Sequence, residues 1–188
     1  VDLATSRDLS SACEERGASF LDAPISGGPE GASAGTLAIM AGGGQEIFER
    51  ARPVFEAMGS KVVHMGPTGS GTATKLANQL LVGVNSLACC EALTMARQVG
   101  VDLEQLQDVL ANAWGQSRML ERCGPIIARE GYDEPGAPLR NILKDLTIIT
   151  SLGRDSGLSV KAADAALGVF QRLVEEGMGE SDMTAACR

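Results

Sequence analysis

Three short segments of this 188-residue chain place polar or charged side chains where a reaction could use them. The first is Asp22-Ala-Pro-Ile-Ser26-Gly27-Gly28, followed by Gly31-Ala-Ser-Ala-Gly35-Thr36-Leu37. A strand that runs into Ser-Gly-Gly leaves successive backbone N–H groups uncovered. With the Ser26 hydroxyl they can form a small anion cradle suited to a carboxylate. An ordinary glycine-rich turn has the same composition, so both readings stand at this point. The second segment is Gly66-Pro-Thr-Gly69-Ser-Gly71-Thr-Ala-Thr-Lys75-Leu-Ala-Asn78-Gln79. Lys75, Asn78 and Gln79 fall at i, i+3 and i+4 and share one helix face. Their helix is apolar, so Lys75 either snorkels to water or is desolvated enough to exchange protons near neutrality. The third segment, Leu143-Lys144-Asp145-Leu146, is a charged pair on a helix, which by itself also suits a solvated face.

Some features imitate other chemistry. Gly69-x-Gly71 follows a strand and opens a helix, with Glu91 further on, much as a dinucleotide fingerprint would. Thr74 stands where the third glycine should be, however, and Glu91 lies in the same helix instead of after a second strand. A phosphate loop would need Lys after Gly71, which Thr72 occupies. His64, the only histidine, has no nucleophile or carboxylate at a recognisable spacing and reads as structural. The vicinal Cys89-Cys90 pair reads as core packing.

The elements that position these residues follow from periodicity. Ser6 to Arg16 is expected to be a helix capped by Ser6 or Asp8 and stopped by Gly17. Ser19–Ala23, Thr36–Ala41 and Lys61–Met65 read as strands, with a helix from Gln45 to Met58. Thr72 to Val99 has one glycine and no proline and is apolar nearly all round, so it is expected to be a long helix buried between domains or subunits. Asp102 caps Leu103–Ala113, with Gln105 at the capping-box position. Arg118–Cys123 is expected to stop before Gly124-Pro125, and Glu130–Pro138 to be a loop. Leu139–Leu152 and Val160–Glu176, the latter capped by Ser159, complete the helices. The fold class expected is an α/β remnant of a Rossmann-type domain, residues 1–66, followed by an all-α domain, residues 67–188, opened by the long helix.

The net charge of -8 repels phosphate backbones and anionic lipid, so neither a nucleic-acid nor a membrane partner is expected. No apolar run is expected to approach the roughly 20 residues of a spanning helix. Five cysteines, an odd count with no C-x-x-C, argue against a disulfide framework and against a metal site. A reducing compartment, cytoplasm or organelle matrix, is expected. The first residue is Val1 and not Met, which reads as a processed or truncated product.

Together the three segments resemble the β-hydroxyacid dehydrogenase family, of the 3-hydroxyisobutyrate dehydrogenase and tartronate-semialdehyde reductase kind. The resemblance runs from Asp2-Leu-Ala-Thr5-Ser6 to Lys144-Asp145-Leu146 and therefore spans most of the chain. It implies an all-α domain like that of 6-phosphogluconate dehydrogenase, NAD or NADP as cofactor, a small hydroxyacid substrate, and a homodimer or homotetramer. It also implies roles. Ser26, Gly27 and Gly28 would hold the substrate carboxylate, Lys75 would be the catalytic acid/base, Asn78 and Gln79 would bind substrate, and Thr5 and Lys144 would contact the cofactor. The chain departs from the family's usual pattern at Gln79, often Asn; at Ala137, usually Phe; and at Asn141, usually Leu. 6-Phosphogluconate dehydrogenase itself is disfavoured, because its lysine is followed at i+3 by His where this chain has Asn78. The glycine-rich βαβ unit is not among these residues, so the chain is expected to be a C-terminal portion, inactive alone, whose cofactor site is largely missing. The alternatives are a succinic-semialdehyde or glyoxylate reductase of the same superfamily, or a non-catalytic dimerisation or interaction remnant.

Overall fold

The computed structural model describes residues 2–134 and 136–188; Val1, and Pro135 within the loop expected at 130–138, lie outside the described residues. The backbone divides into two compact units, Val1–Asn78 and Gln79–Arg188.

In the first unit a small mixed sheet is built around β3 (Ala38–Gly43). β4 (Lys61–Gly66) pairs with it in parallel, and the crossover between them is α3 (Gln45–Glu56). The opposite edge of β3 carries β1 (Leu21–Asp22) and β2 (Ile25–Ser26), both antiparallel. These two pieces are one edge strand interrupted at Ala23-Pro24. Proline lacks the N–H a ladder needs, yet its carbonyl still accepts from the Met40 N–H at 3.0 Å. The sheet core is Ile39 and Ala41 against Phe48 of α3, all nearly fully buried. His64 packs on the Phe48 ring at 5.1 Å and bonds the Gly43 carbonyl through Nε2 at 2.7 Å, so its surroundings are structural.

Two elements here differ from expectation. α1 spans Leu3–Glu14 and is capped by Asp2, whose Oδ1 accepts from the Thr5 N–H at 2.7 Å. Ser6 is therefore inside the helix and buried, not at its start. The glycine-rich stretch after Ser26 is the short helix α2 (Gly28–Ala34), where no helix was expected. Pro29 in the first turn is preorganised for a helix start, and Gly35 closes it with a left-handed backbone.

α4 runs Ser70–Gln98, 29 residues, starting in the first unit and ending in the second. Its most apolar 18-residue window has mean hydropathy 1.3 and is 33% buried. By length and composition it is long enough to cross a membrane, which corrects the expectation that no segment approaches that length. A core helix of a water-soluble enzyme passes the same test. Within this one chain α4 leaves Leu81 59% and Met95 65% exposed, and Val99, just past its end, 75%.

In the second unit α5 (Leu103–Leu110) is capped by Asp102, as expected. α6 (Arg118–Ala128) runs through Gly124-Pro125, where a stop was expected. Its buried stripe Met119, Leu120, Cys123 and Ile127 outweighs the lost helix bond at an exposed Pro125. Gly124 is small because a Cβ there would lie 2.2 Å from Gln107 Oε1 of α5. α7 (Leu139–Asp155) and α8 (Lys161–Leu173) form a helical hairpin. α7 outlasts its expected end because Gly153 leaves room for Val160, whose Cγ2 would be 2.8 Å from a Cβ. A π-type turn (Val174–Met178) and a 3-10 turn (Met183–Cys187) follow. Asp182, 2% exposed, anchors the latter: it pairs with Arg122 and accepts from the Ala137 and Thr184 N–H groups at 2.8 and 3.0 Å.

Candidate active site

The start of α4 is set by one buried carboxylate. Asp22, the residue that ends β1, is 6% exposed. Its Oδ1 accepts from the Gly69 N–H at 2.7 Å and its Oδ2 from the Thr72 N–H at 2.6 Å. Those donors belong to the orphan N–H groups that open any helix, and a carboxylate is the acceptor their dipole favours. Ser6 of α1 adds a buried hydroxyl contact to Thr72, 2.9 Å between Oγ and Oγ1.

Glycine is required at Gly71 by this close approach. A Cβ there would lie 2.2 Å from the Met40 carbonyl and 2.5 Å from that of Asp22. At Gly42 a Cβ would meet Asp22 Oδ1 at 2.5 Å and the Gly71 nitrogen at 2.8 Å. The Gly69-Ser-Gly71 turn thus seats a helix against a sheet, and its anion-binding end is filled by the protein's own aspartate. The Gly69 and Thr72 N–H groups that an anion could use there are already taken by Asp22. Asp22 entered the sequence motif only as a flanking residue. Its signal, a lone acid at the end of a short strand, has no local periodicity to betray it.

From this anchor the site residues of the first unit can be placed. Lys75 and Asn78 lie one and two turns into α4, both half-buried. Ser26 is half-buried at the end of β2, four residues along the same edge from Asp22. Gly27 and Gly28 follow with φ of +138° and +65°, values that only glycine adopts readily. They bring the exposed N–H groups of Gly28 and Glu30 to the open end of α2, where no intrahelical acceptor exists. Thr5 is exposed in the first turn of α1.

Gln79 and Lys144 belong to the second unit, where Asp145 joins them. Gln79 Nε2 donates to Asp145 Oδ2 at 2.5 Å, and Lys144 Nζ pairs with Asp145 Oδ1 at 3.0 Å. Lys144 itself is 62% exposed, so the pair orients the ammonium more than it stabilises the fold. One turn further along α4, Gly83 accepts the fully buried Leu146 of α7, whose side-chain carbons would lie 3.0–3.2 Å from a Cβ. The three residues of Lys144-Asp145-Leu146 therefore act separately, as an exposed cation, a bridge to α4 and a packing knob. The bridging role of Asp145 is the second feature that sequence reasoning missed. Of the residues expected to meet NAD(P), Thr5 and Lys144 are exposed, each in its own unit.

Residues 69–188 match the family model described as NAD-binding of NADP-dependent 3-hydroxyisobutyrate dehydrogenase, and residues 1–66 match that for the NAD binding domain of 6-phosphogluconate dehydrogenase. The NAD-dependent L-serine dehydrogenase of Pseudomonas aeruginosa is 33% identical over 96% of this chain and 62% of its own length. The 2-hydroxy-3-oxopropionate reductase of Escherichia coli is 33% identical over 91% of this chain and 58% of its own. Among solved structures, a 3-hydroxyisobutyrate dehydrogenase from Salmonella typhimurium superposes with a TM-score of 0.91 at 30% identity, covering 99% of this chain and 65% of that one. The chain thus spans less than two thirds of the length of each of these relatives.

Proposed function

The chain belongs to the β-hydroxyacid dehydrogenase family, and from that membership we propose that it carries the substrate-binding and proton-transfer half of an NAD(P)-dependent enzyme that interconverts a small β-hydroxyacid and its semialdehyde. The observation that carries this reading is Lys75. The Asp22 carboxylate, four residues before Ser26 on one sheet edge, pins the first turn of α4. That turn sets a half-buried lysine at a fixed height on the helix.

The substrate class follows from the relatives' names. L-Serine, 3-hydroxyisobutyrate and the alcohol formed from 2-hydroxy-3-oxopropionate share a carboxylate and a primary β-hydroxyl. They differ only at the α-carbon, which carries an ammonium, a methyl or a hydroxyl. A site that reads the shared groups needs an anion cradle and a proton acceptor. In this reading Ser26, Gly27 and Gly28 bind the carboxylate, and Asn78 and Gln79 hold the oxygen end of the substrate. Gln79 does so with its amide nitrogen already committed to Asp145. Lys75 takes the hydroxyl proton in the oxidation and returns it in the reduction, as a general acid–base. The bound nicotinamide supplies the hydride acceptor or donor for the carbinol carbon. In this reading Thr5 and Lys144 are the contacts this chain offers to the cofactor.

We place the domain boundary at residues 66–67, so that α4 opens the all-α domain. The exposed Leu81 and Met95 on that helix, with Val99 just past its end, support a homodimer or homotetramer. The five free thiols support a reducing compartment, cytoplasm or organelle matrix. A dimerisation remnant without catalysis is the second reading, and the same helix face supports it.

The test is Lys75→Ala in the full-length gene product, assayed with β-hydroxyacids that vary at the α-carbon. Turnover should fall by about 10²–10⁴-fold, the usual contribution of a general acid–base, with cofactor affinity retained. Ser26→Ala should instead raise KM for the acid with a smaller effect on kcat, since it binds ground and transition states alike. Wild-type turnover in Lys75→Ala would hand the lead to the remnant reading.

A further inference from the structure

Cys89, Cys90, Cys123 and Cys187 all lie in the second unit, and none takes part in the site above. Cys89, Cys90 and Cys123 are buried, whereas Cys187 is partly exposed. Cys187 ends the 3-10 turn Met183–Cys187, in which residues three apart eclipse one another. It therefore sits over Thr184, and the Thr184 carbonyl accepts from Cys90 Sγ of α4 at 3.7 Å. That contact brings the Cys90 sulfur to the turn that Cys187 ends, close enough for the two thiols to influence each other, with Thr94 one turn beyond Cys90 on α4. The turn is held in place independently by the Asp182 cap and by Met183, whose Sδ lies 2.9 Å from Ser86 Oγ of α4. The juxtaposition of Cys187 and Cys90 is thus a product of the fold at three neighbouring contacts.

We propose that Cys187 and Cys90 form a peroxide-oxidisable pair that closes into an intramolecular disulfide between the 3-10 turn and α4. The two sulfurs have different roles. The influence of Cys90, that of Thr94 and the Arg97 charge together pull the Cys187 thiol below its ordinary range against the effect of burial. Its partner Cys90 is pushed well above that range, by Cys187 and by burial. Thiolate is the reactive form and needs access, so Cys187 reacts first. Its sulfur attacks one oxygen of hydrogen peroxide, the O–O bond breaks, hydroxide leaves, and Cys187 becomes a sulfenic acid. The Cys90 sulfur then attacks the Cys187 sulfur. The S–S bond forms, the S–O bond breaks, and the hydroxyl departs as water with the Cys90 proton. Two thiols lose two electrons, and one peroxide becomes two waters. A metal role for the cluster has no support, since no group of three ligating side chains that could hold an ion occurs among the described residues.

The test is peptide mapping of the reduced chain by mass spectrometry after stoichiometric hydrogen peroxide, without reductant. The expected product links the peptide that carries Cys187 to the one that carries Cys89 and Cys90, and two of the five thiols are lost. Cys89→Ser should keep this link and Cys90→Ser should abolish it. In Cys90→Ser a dimedone adduct should accumulate on Cys187, because the sulfenic acid is no longer resolved. Iodoacetamide should label Cys187 at least about tenfold faster than Cys90. A link that survives Cys90→Ser, a link only between chains, or five unreacted thiols would each overturn the proposal.

Discussion

Replacing Asp22 by Ala removes the carboxylate that accepts from both the Gly69 and Thr72 N–H groups at the head of α4. Hydrogen bonds to a charged acceptor contribute about 1.5–3 kcal/mol each, and a buried donor left unpaired costs about 1–3 kcal/mol. The two bonds share one carboxylate and are not independent, so the expected loss is about 3–5 kcal/mol instead of the full sum. Asp22→Asn is the sharper variant. It keeps the volume and one acceptor oxygen but turns an NH2 group toward the other N–H, for a loss of about 1.5–3 kcal/mol. The assay is amide hydrogen exchange over residues 66–75, read beside urea unfolding followed by circular dichroism. A local loss of about 3 kcal/mol corresponds to roughly a hundredfold drop in protection. Lys75 stands only three residues beyond Thr72, about 4.5 Å along the axis, so loosening of this turn also displaces the proposed proton acceptor. A misplacement of about 1 Å can lower turnover on the order of a hundredfold. If Asp22→Ala cost under about 1 kcal/mol, or if exchange rose elsewhere but not at Gly69 and Thr72, the carboxylate would not be what starts the helix.

Three further outcomes are expected. Burial raises the Asp182 carboxyl, but the bonds from Arg122, Ala137 and Thr184 outweigh it and hold the group below the usual carboxylate range. Its contribution is therefore present above the unfolded-state pKa, near 3.9, and is lost as pH falls through the lower folded value. Arg122→Met should lower stability by about 3–5 kcal/mol and flatten that acid limb; an unchanged slope below pH 4 in thermal melts would refute it. Calorimetric titration of the 188-residue chain with NADH should show no saturable binding at millimolar concentration, and micromolar affinity would place a pyrophosphate site within these residues. Sedimentation should show a dimer or larger species, because Leu81 and Met95 of α4 and Val99 just past its end expose apolar surface; a monomer at micromolar concentration would refute the assembly proposed.

Where one physical signal dominates a segment, the sequence was readable. α4, α5 and α3 follow from apolar periodicity and from the Asp102 cap, and the β3–α3–β4 crossover follows from strand, helix and strand in succession. The misreadings occur where tertiary contact overrides local preference. Pro125 suggests a stop, yet the buried stripe of α6 carries the helix past it. The glycines of α2 suggest a turn, yet Pro29 at the start and the left-handed Gly35 at the end make a short helix. At the site, the face shared by Lys75, Asn78 and Gln79 could be read from spacing alone. Asp22 and Asp145 could not, because each acts on a partner about fifty or more residues away, at 69, 72 and 79. Pairings at that separation leave no trace in a local pattern.

The way α4 is seated has a consequence for how such a sequence can diverge. Asp22, Gly42 and Gly71 occupy one another's space: a methyl group on either glycine would overlap the carboxylate or the backbone it holds. None can be exchanged for a larger residue without the others moving, so the three positions form a single heritable unit although twenty and twenty-nine residues separate them along the chain. Drift in substrate preference therefore has to proceed around this triplet, through the faces of α4 beyond Thr72 and through the residues after Ser26, where side chains can change singly.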